Sequence, residues 1–279
     1  MIVTVVGTGL IGGSFAIALK DYGIAEKVIG VDSNSHHIQR ALELGLIDEE
    51  DILKSAITKS DLIILAIPVN AVEEMLPGIL TDIKKQVVID VGSIKAGVLS
   101  VVREHRNRGR FVATHPMWGT EYSGPEAAVK GAFKGKATVI CDKESSDEDA
   151  LKVVEDLYKH LGMHLVYMDE KEHDIHVAYV SHISHITSFA LANTVLEKEK
   201  EEDAIFQLAS AGFESTVRLA KSNADMWVPV LMQNRENVLD VLNEHLSQLR
   251  KFKSCLEKEN SNYLKELIEN ANKINRILK

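Results

Sequence analysis

Cysteine is scarce: Cys141 and Cys255 are the only two in 279 residues, and they form no C-x-x-C pair. That removes the signature of a disulfide scaffold or a thiolate metal site and fits buried thiols of a reducing compartment. Proline is also sparse, five in all, with only Pro229 beyond residue 170. Basic charge is in deficit, 32 Lys and Arg against 41 Asp and Glu, for a net charge of −9. No basic cluster offsets this, so a nucleic-acid-binding surface is not expected. No apolar run reaches membrane-spanning length. The first residues already read as a strand, with no basic segment leading an apolar core, so no signal peptide is expected. These absences together point to a cytoplasmic protein. No internal repeat and no low-complexity linker is visible.

What remains is the composition of a globular protein, 45% hydrophobic and 26% charged, long enough for one large or two ordinary domains. Near the start, the apolar run Ile2–Val6 leads into Gly7-Thr8-Gly9-Leu10-Ile11-Gly12 and a helix-like stretch. Asp32 ends a second apolar run twenty residues after Gly12. Strand, G-x-G-x-x-G, helix and acid in this order form a dinucleotide-binding fingerprint. Gly7 permits the turn, Gly9 lets a pyrophosphate approach the backbone, and Gly12 lets the helix pack on the strand. Leu10 and Ile11 open the helix, whose N-terminal N–H groups suit phosphate. Asp32 can bond both ribose hydroxyls and repels a 2′-phosphate, and no arginine follows in Ser33–His37 to offset it. The expected cofactor is NAD.

Strands and helices then alternate. Asp61–Pro68, Gln86–Val91, Phe111–Thr114, Ala137–Cys141 and Met163–Tyr167 read as strands; Val69–Leu76 and about 147–160 read as helices. The expectation is a Rossmann-type, mainly parallel sheet domain over 1–169. From 170 onward helical periodicity takes over, giving an all-α domain over 170–279. Leu264, Leu267, Ile268, Ala271, Ile274 and Leu278 make one stripe, and Val238, Leu239, Leu242, Leu246, Leu249 and Phe252 another. Such stripes need a partner surface, and a homodimer is expected. Charge-rich Glu197–Asp203 reads as a solvated turn.

Ligands of open α/β sheets sit beyond the carboxyl ends of the strands. That rule selects Pro68-Val69, Gly92-Ser93 and His115-Pro116. His115 is the one histidine at such a place, suited to accept a proton near neutral pH, or else to cap its strand. Ser93 reaches substrate or nicotinamide, or caps the next helix. Further on, Asp174, Ala178, Ser181 and His185 fall on one face of a regular helix. A carboxylate, a hydroxyl and an imidazole inside an apolar stretch face a site, a solvated surface or, with an incomplete ligand set, zinc. Arg218 is either a surface ion-pair partner or a bidentate carboxylate clamp.

Together these pieces resemble the prephenate/arogenate dehydrogenase family of tyrosine biosynthesis, along nearly the whole chain. The resemblance rests on Gly7–Gly13, on Val91-Gly92-Ser93-Ile94-Lys95, and on His115-Pro116-Met117-Trp118-Gly119-Thr120-Glu121. It also rests on His173-Asp174 through Ser181-His182 to His185, and on Thr216-Val217-Arg218. It implies a hydride passed to NAD, a hydroxyl proton passed to a histidine, and loss of carbon dioxide as a ring aromatises. His115 then resembles the proton-accepting histidine, and Ser93 the serine that orients it and the cofactor. Arg218 resembles the carboxylate clamp; Ser181, His185 and Thr120 line the substrate pocket, with Asp174 behind them. Where family members often carry a basic residue and Asp before Thr-x-Arg, this chain has Glu214 and Ser215. A carboxylate there favours the ammonium of arogenate over the keto acid of prephenate, or simply faces solvent. Prephenate is the primary expectation and arogenate the second. A hydroxyacid or imine dehydrogenase of the same layout is a rival, although no lysine lies between Glu172 and Leu196 for the former. A nucleotide-binding scaffold without turnover is another, but would not need a hydroxyl-facing His115.

Overall fold

The computed structural model describes residues 1–199 and 208–276. In chain order the elements are β1 (Ile2–Val6), α1 (Leu10–Asp21), β2 (Lys27–Val31), α2 (Ser35–Glu43), β3 (Glu49–Glu50) and α3 (Leu53–Lys59). There follow β4 (Leu62–Leu65), α4 (Val69–Asp82), β5 (Val87–Asp90), α5 (Ala96–Ser100), β6 (Phe111–Pro116), β7 (Ala137–Cys141), α6 (Glu148–His160) and β8 (His164–Met168). Then come α7 (Glu170–Val177), α8 (Ile183–Glu199), α9 (Ala211–Val217), α10 (Ala224–Gln233), α11 (Arg235–Glu257) and α12 (Ser261–Ala271). The described residues fall into two compact units, one ending at Asn234 and the other beginning at Arg235.

The first unit is built on one eight-stranded sheet in the order β3-β2-β1-β4-β5-β6-β7-β8. Alternate residues of a strand face opposite sides, and here they feed two separate cores. Leu62, Ile64, Val87 and Ile89 join Val3, Val5, Phe15 and Leu19 on one side. Ile63, Leu65 and Val88 join Val72, Leu76, Val98 and Phe111 on the other. Each such side chain contributes roughly 1.5–3 kcal/mol when fully buried. Burial on both faces is why these strands read as unbroken apolar runs. The strand order reverses between β1 and β4, so the turns after both open onto one crevice.

All pairings are parallel except β6–β7. The β6–β7 connection carries only a 3₁₀ turn, Pro125–Ala127, and no crossover helix. A connection without a covering helix suits an antiparallel return. Two elements depart from the pattern expected of the sequence. Helix α4 runs through Pro77 to Asp82 instead of stopping at Leu76. The segment from Asp174 to His185 is not one regular helix: Ala178–His182 is a π-turn between α7 and α8. The charge-rich stretch at 197–203 also differs, since Glu197–Glu199 end α8; residues 200–203, like Leu278, lie outside the described residues.

The second unit pairs α11 with α12. Asn260 caps α12 by accepting from Tyr263 N at 3.1 Å. Leu239, Leu246, Leu249 and Ile268 remain exposed on these two helices.

Candidate active site

The turn after β1 is shaped for a phosphate ester. Gly7 has φ +90°, and a Cβ there would stand 2.3 Å from Ala66 O. A Cβ on Gly12 would stand 1.9 Å from Gly7 O, so the helix closes on the turn only with glycine at 12, and the turn closes on the end of β4 only with glycine at 7. The second glycine, Gly9, is open: the nearest atom to an added Cβ is Gly124 N at 3.9 Å. It is the N-cap of α1, and no acidic side chain occupies the first turn. Leu10 and Ile11 therefore begin a helix whose N-terminus is positively polarised and carries no acidic side chain in its first turn. Asp32 accepts from Thr8 N at 2.8 Å, Thr8 Oγ1 at 3.1 Å and Asn34 N at 2.9 Å. Its carboxylate is thus fixed beside the glycine turn. Pro68 caps α4 across the same crevice, and Val69 behind it packs with Ile94, Trp227 and Val230.

A chain of three side chains meets the far end of the sheet. His173 Nδ1 lies 2.7 Å from Asp174 Oδ1, and His173 Nε2 lies 2.9 Å from His115 Nδ1. Their tautomers follow from donor logic. The Asp174 carboxylate only accepts, so His173 Nδ1 carries the proton and donates. Neutral His173 then accepts at Nε2, so His115 donates from Nδ1 and keeps the lone pair of Nε2. The Asp174 carboxylate also accepts from Lys95 N at 2.8 Å and Ala96 N at 2.9 Å, holding the start of α5. Ser93 sits part-buried in the loop between β5 and α5. Beneath that loop the fully buried Lys95 ammonium pairs with Asp90 and donates to Gly92 O at 2.8 Å.

Burial pushes His115 well below the ordinary histidine range, and the neighbouring His173, Lys95 and His182 push it the same way. Burial also lowers His173, although Asp174 opposes this. Desolvation of the charged form is the leading cause at both. His115 is therefore held as a neutral acceptor.

The helical side is organised by α10. Trp227 stacks on His185, with ring centroids 3.5 Å apart, and meets His182 edge-on at 5.8 Å. His185 Nδ1 donates to Ser181 O at 3.1 Å, which leaves Nε2 as an acceptor. Burial lowers His185, and drives His182 down to about 4. Asn234 Nδ2 donates to Asp174 O at 2.7 Å and approaches His182 Nδ1 at 3.2 Å. The π-turn adds a residue to the helical repeat, so Asp174, Ser181 and His185 do not form the single stripe expected of a regular helix. Asp174 turns to α5, and His182 is buried in full while Ser181 is part-buried.

Arg218 follows α9, which Ser188 ties to α8 by donating to Thr216 O at 3.1 Å. Its Nη1 donates to Glu121 at 2.7 Å, and about half of its side chain is exposed. Thr120, next to Glu121, accepts from Tyr122 N at 3.3 Å. Glu214 lies apart, 74% exposed, with Lys221 at 4.0 Å. On sequence alone His173 and Trp227 stand beside the candidate residues, but neither is given a role. The His-Asp pair at 173–174 was the available signal for the first; Trp227 gave none beyond its distance from Arg218. Among the described residues no cluster is arranged to hold a metal ion.

Residues 15–167 match the family described as "Prephenate dehydrogenase, nucleotide-binding domain" and residues 169–270 the one described as "Prephenate dehydrogenase, dimerization domain". The chain belongs to the prephenate dehydrogenase family. Prephenate dehydrogenase of Bacillus subtilis is 30% identical over 92% of this chain and 71% of its own length. Cyclohexadienyl dehydrogenase of Zymomonas mobilis is 28% identical over 99% of this chain and 96% of its own. The crystal structure of A. aeolicus prephenate dehydrogenase with hydroxyphenyl propionate and NAD+ superposes with a TM-score of 0.89. It is 30% identical and covers 99% of this chain and 97% of that one. The two family matches meet between 167 and 169, at the end of β8.

Proposed function

We propose that the chain is an NAD-dependent prephenate dehydrogenase, which oxidises and decarboxylates prephenate to 4-hydroxyphenylpyruvate in tyrosine biosynthesis. The observation that carries this reading is the Asp174–His173–His115 chain, which leaves His115 Nε2 as an acceptor at the carboxyl end of β6, in the same sheet as the glycine cradle. The cradle fits the cofactor: Gly9 is open where a pyrophosphate lies, and Asp32 is fixed for a ribose. Bound there, NAD+ would supply the hydride acceptor for the ring carbon that bears the hydroxyl, with loss of carbon dioxide as the ring aromatises.

His115 Nε2 takes the hydroxyl proton. The resulting imidazolium keeps its Nδ1 proton on His173, and Asp174 stabilises the positive charge through that ring. Because aromatisation drives the reaction, the protein mainly positions groups and relays one proton, which His115 returns to the oxygen of the new phenol once carbon dioxide has left. Ser93 orients His115 and the cofactor from the β5–α5 loop, and Pro68 borders the nicotinamide side. Arg218 clamps a substrate carboxylate, presenting guanidinium donors that Glu121 does not fill. His185, Ser181 and Thr120 line the pocket, with the stacked Trp227 holding the His185 ring. The division of labour follows the chain: 1–169 binds NAD, and 170–279 supplies the substrate side and the surface of a homodimer. The test is turnover: reduced-nicotinamide absorbance and carbon dioxide release in equal amounts with prephenate. Cofactor binding without turnover of prephenate or arogenate would overturn the reading.

A further inference from the structure

The connection between β6 and β7 lies over the cofactor cradle. Gly124, with φ +87°, brings its N–H to the open side of Gly9. Ala128 Cβ stands 2.9 Å from where a Cβ on Gly13 would be, and Val129 N donates to Ser14 Oγ at 2.9 Å. The intervening turn, Pro125–Ala127, touches both α1 and α2. At its centre Glu126 accepts from Arg40 Nε at 2.7 Å, while Arg40 Nη1 reaches Glu43 at 2.5 Å.

Arg40 is the one arginine of α2, the helix that begins three residues after Asp32. His37, one turn earlier on the same helix, has Nδ1 3.7 Å from Asp32 Oδ2. Residues three apart share a helix face. The face that looks toward the ribose-binding acid therefore carries Arg40 one turn further on. An arginine near this acid is the usual means by which such folds accept a 2′-phosphate. Here both edges of that guanidinium are already engaged by carboxylates.

We propose that Glu126 is a cofactor-specificity residue, acting through Arg40: it occupies the Nε edge of the guanidinium and so denies a 2′-phosphate its natural partner. Discrimination against NADP+ then has two sources, repulsion by Asp32 and withdrawal of Arg40. The second comes from the β6–β7 connection, about a hundred residues from the fingerprint. Glu43 engages only Nη1, so removing the Glu126 charge frees an edge able to bond phosphate bidentately. The proposal rests on the cofactor reading above. Both side chains are surface groups whose ion pair adds little to stability, so variants keep the fold.

The experiment is calorimetric titration of the protein with ADP-ribose and with 2′-phospho-ADP-ribose, for the unsubstituted protein, Glu126→Gln, Arg40→Ala and the double variant. Glu126→Gln is expected to tighten 2′-phospho-ADP-ribose about tenfold, with ADP-ribose unchanged within about twofold. Arg40→Ala is expected to give no gain, and the double variant to lose the gain of Glu126→Gln. The ratio of kcat/KM for NADP+ and NAD+ is expected to follow the same order. An unchanged preference in Glu126→Gln, or a gain that survives in the double variant, would overturn the proposal. Failure of the unsubstituted protein to bind ADP-ribose would overturn the cofactor reading and this proposal with it.

Discussion

His115 keeps Nε2 as its acceptor because its Nδ1 donates to His173, which in turn donates to the Asp174 carboxylate. His115→Asn keeps a polar side chain but cannot accept the proton. The expected result is a kcat lower by about 10² to 10⁴ with NAD+ affinity unchanged; a kcat within a few-fold of the unsubstituted enzyme would place the base elsewhere. Arg218→Ala is expected to raise KM for prephenate, because a carboxylate clamp acts in ground and transition states alike. Steady-state kinetics with an unmoved KM would exclude the clamp. Glu214 faces Lys221 at the surface, so Glu214→Gln is expected to leave the prephenate-to-arogenate ratio of kcat/KM unchanged. A shift in that ratio would return Glu214 to substrate selection. His115 and Arg218 could be singled out as candidates in the sequence because strand ends and short motifs mark them locally. His173 was not: its partner His115 is 58 positions away, and only the packing of α7 beside the sheet joins them.

At the scale of elements, α7 and α5 are joined through one carboxylate. Asp174 accepts from two backbone N–H groups of α5 and from His173. Asp174→Asn loses the charge, and one side-chain atom changes from acceptor to donor. The expected loss of stability is about 2 kcal/mol by urea denaturation, with a fall in kcat as His173 loses its orientation. A variant with full kcat would show that His173 is held by other means. The sheet strands were readable because burial on both faces writes continuous apolar runs. Strand β3, two glutamates long, carries no such pattern. Pro77 looked like a helix end, yet α4 continues past it, with Thr81 Oγ1 donating back to Pro77 O at 2.9 Å. The π-turn at Ala178–His182 escaped detection because sequence periodicity is measured against a fixed 3.6-residue repeat. Its side-chain tie, His182 to Asn234, spans 52 positions.

For the whole molecule, the exposed apolar side chains of α11 and α12 and the dimerization-domain match lead to an expected solution mass of twice 30.9 kDa. Light scattering that gives a single chain at working concentration would refute the dimer. The same molecule carries His115, His173, His182 and His185, all lowered chiefly by burial. Unfolded, each histidine titrates near about 6.5. Below that pH the unfolded chain binds protons that the folded one refuses, so stability falls as pH falls. For His182, with its folded value about 4, the window runs from about 6.5 down to about 4. Its share is at most about 3 kcal/mol, from about 1.36 kcal/mol per unit. Urea midpoints are therefore expected to hold near neutral pH and decline through this window, before most carboxylates titrate. His182→Asn, which removes the titrating group, is expected to flatten part of the decline. The catalytic profile should differ in kind: in the proposed mechanism neutral His115 is the active form, so kcat/KM is expected to persist below pH 6.5. Midpoints that stay level from pH 7 to pH 5 would mean the four imidazoles are hydrated, and with them the enclosed character of the site would be wrong.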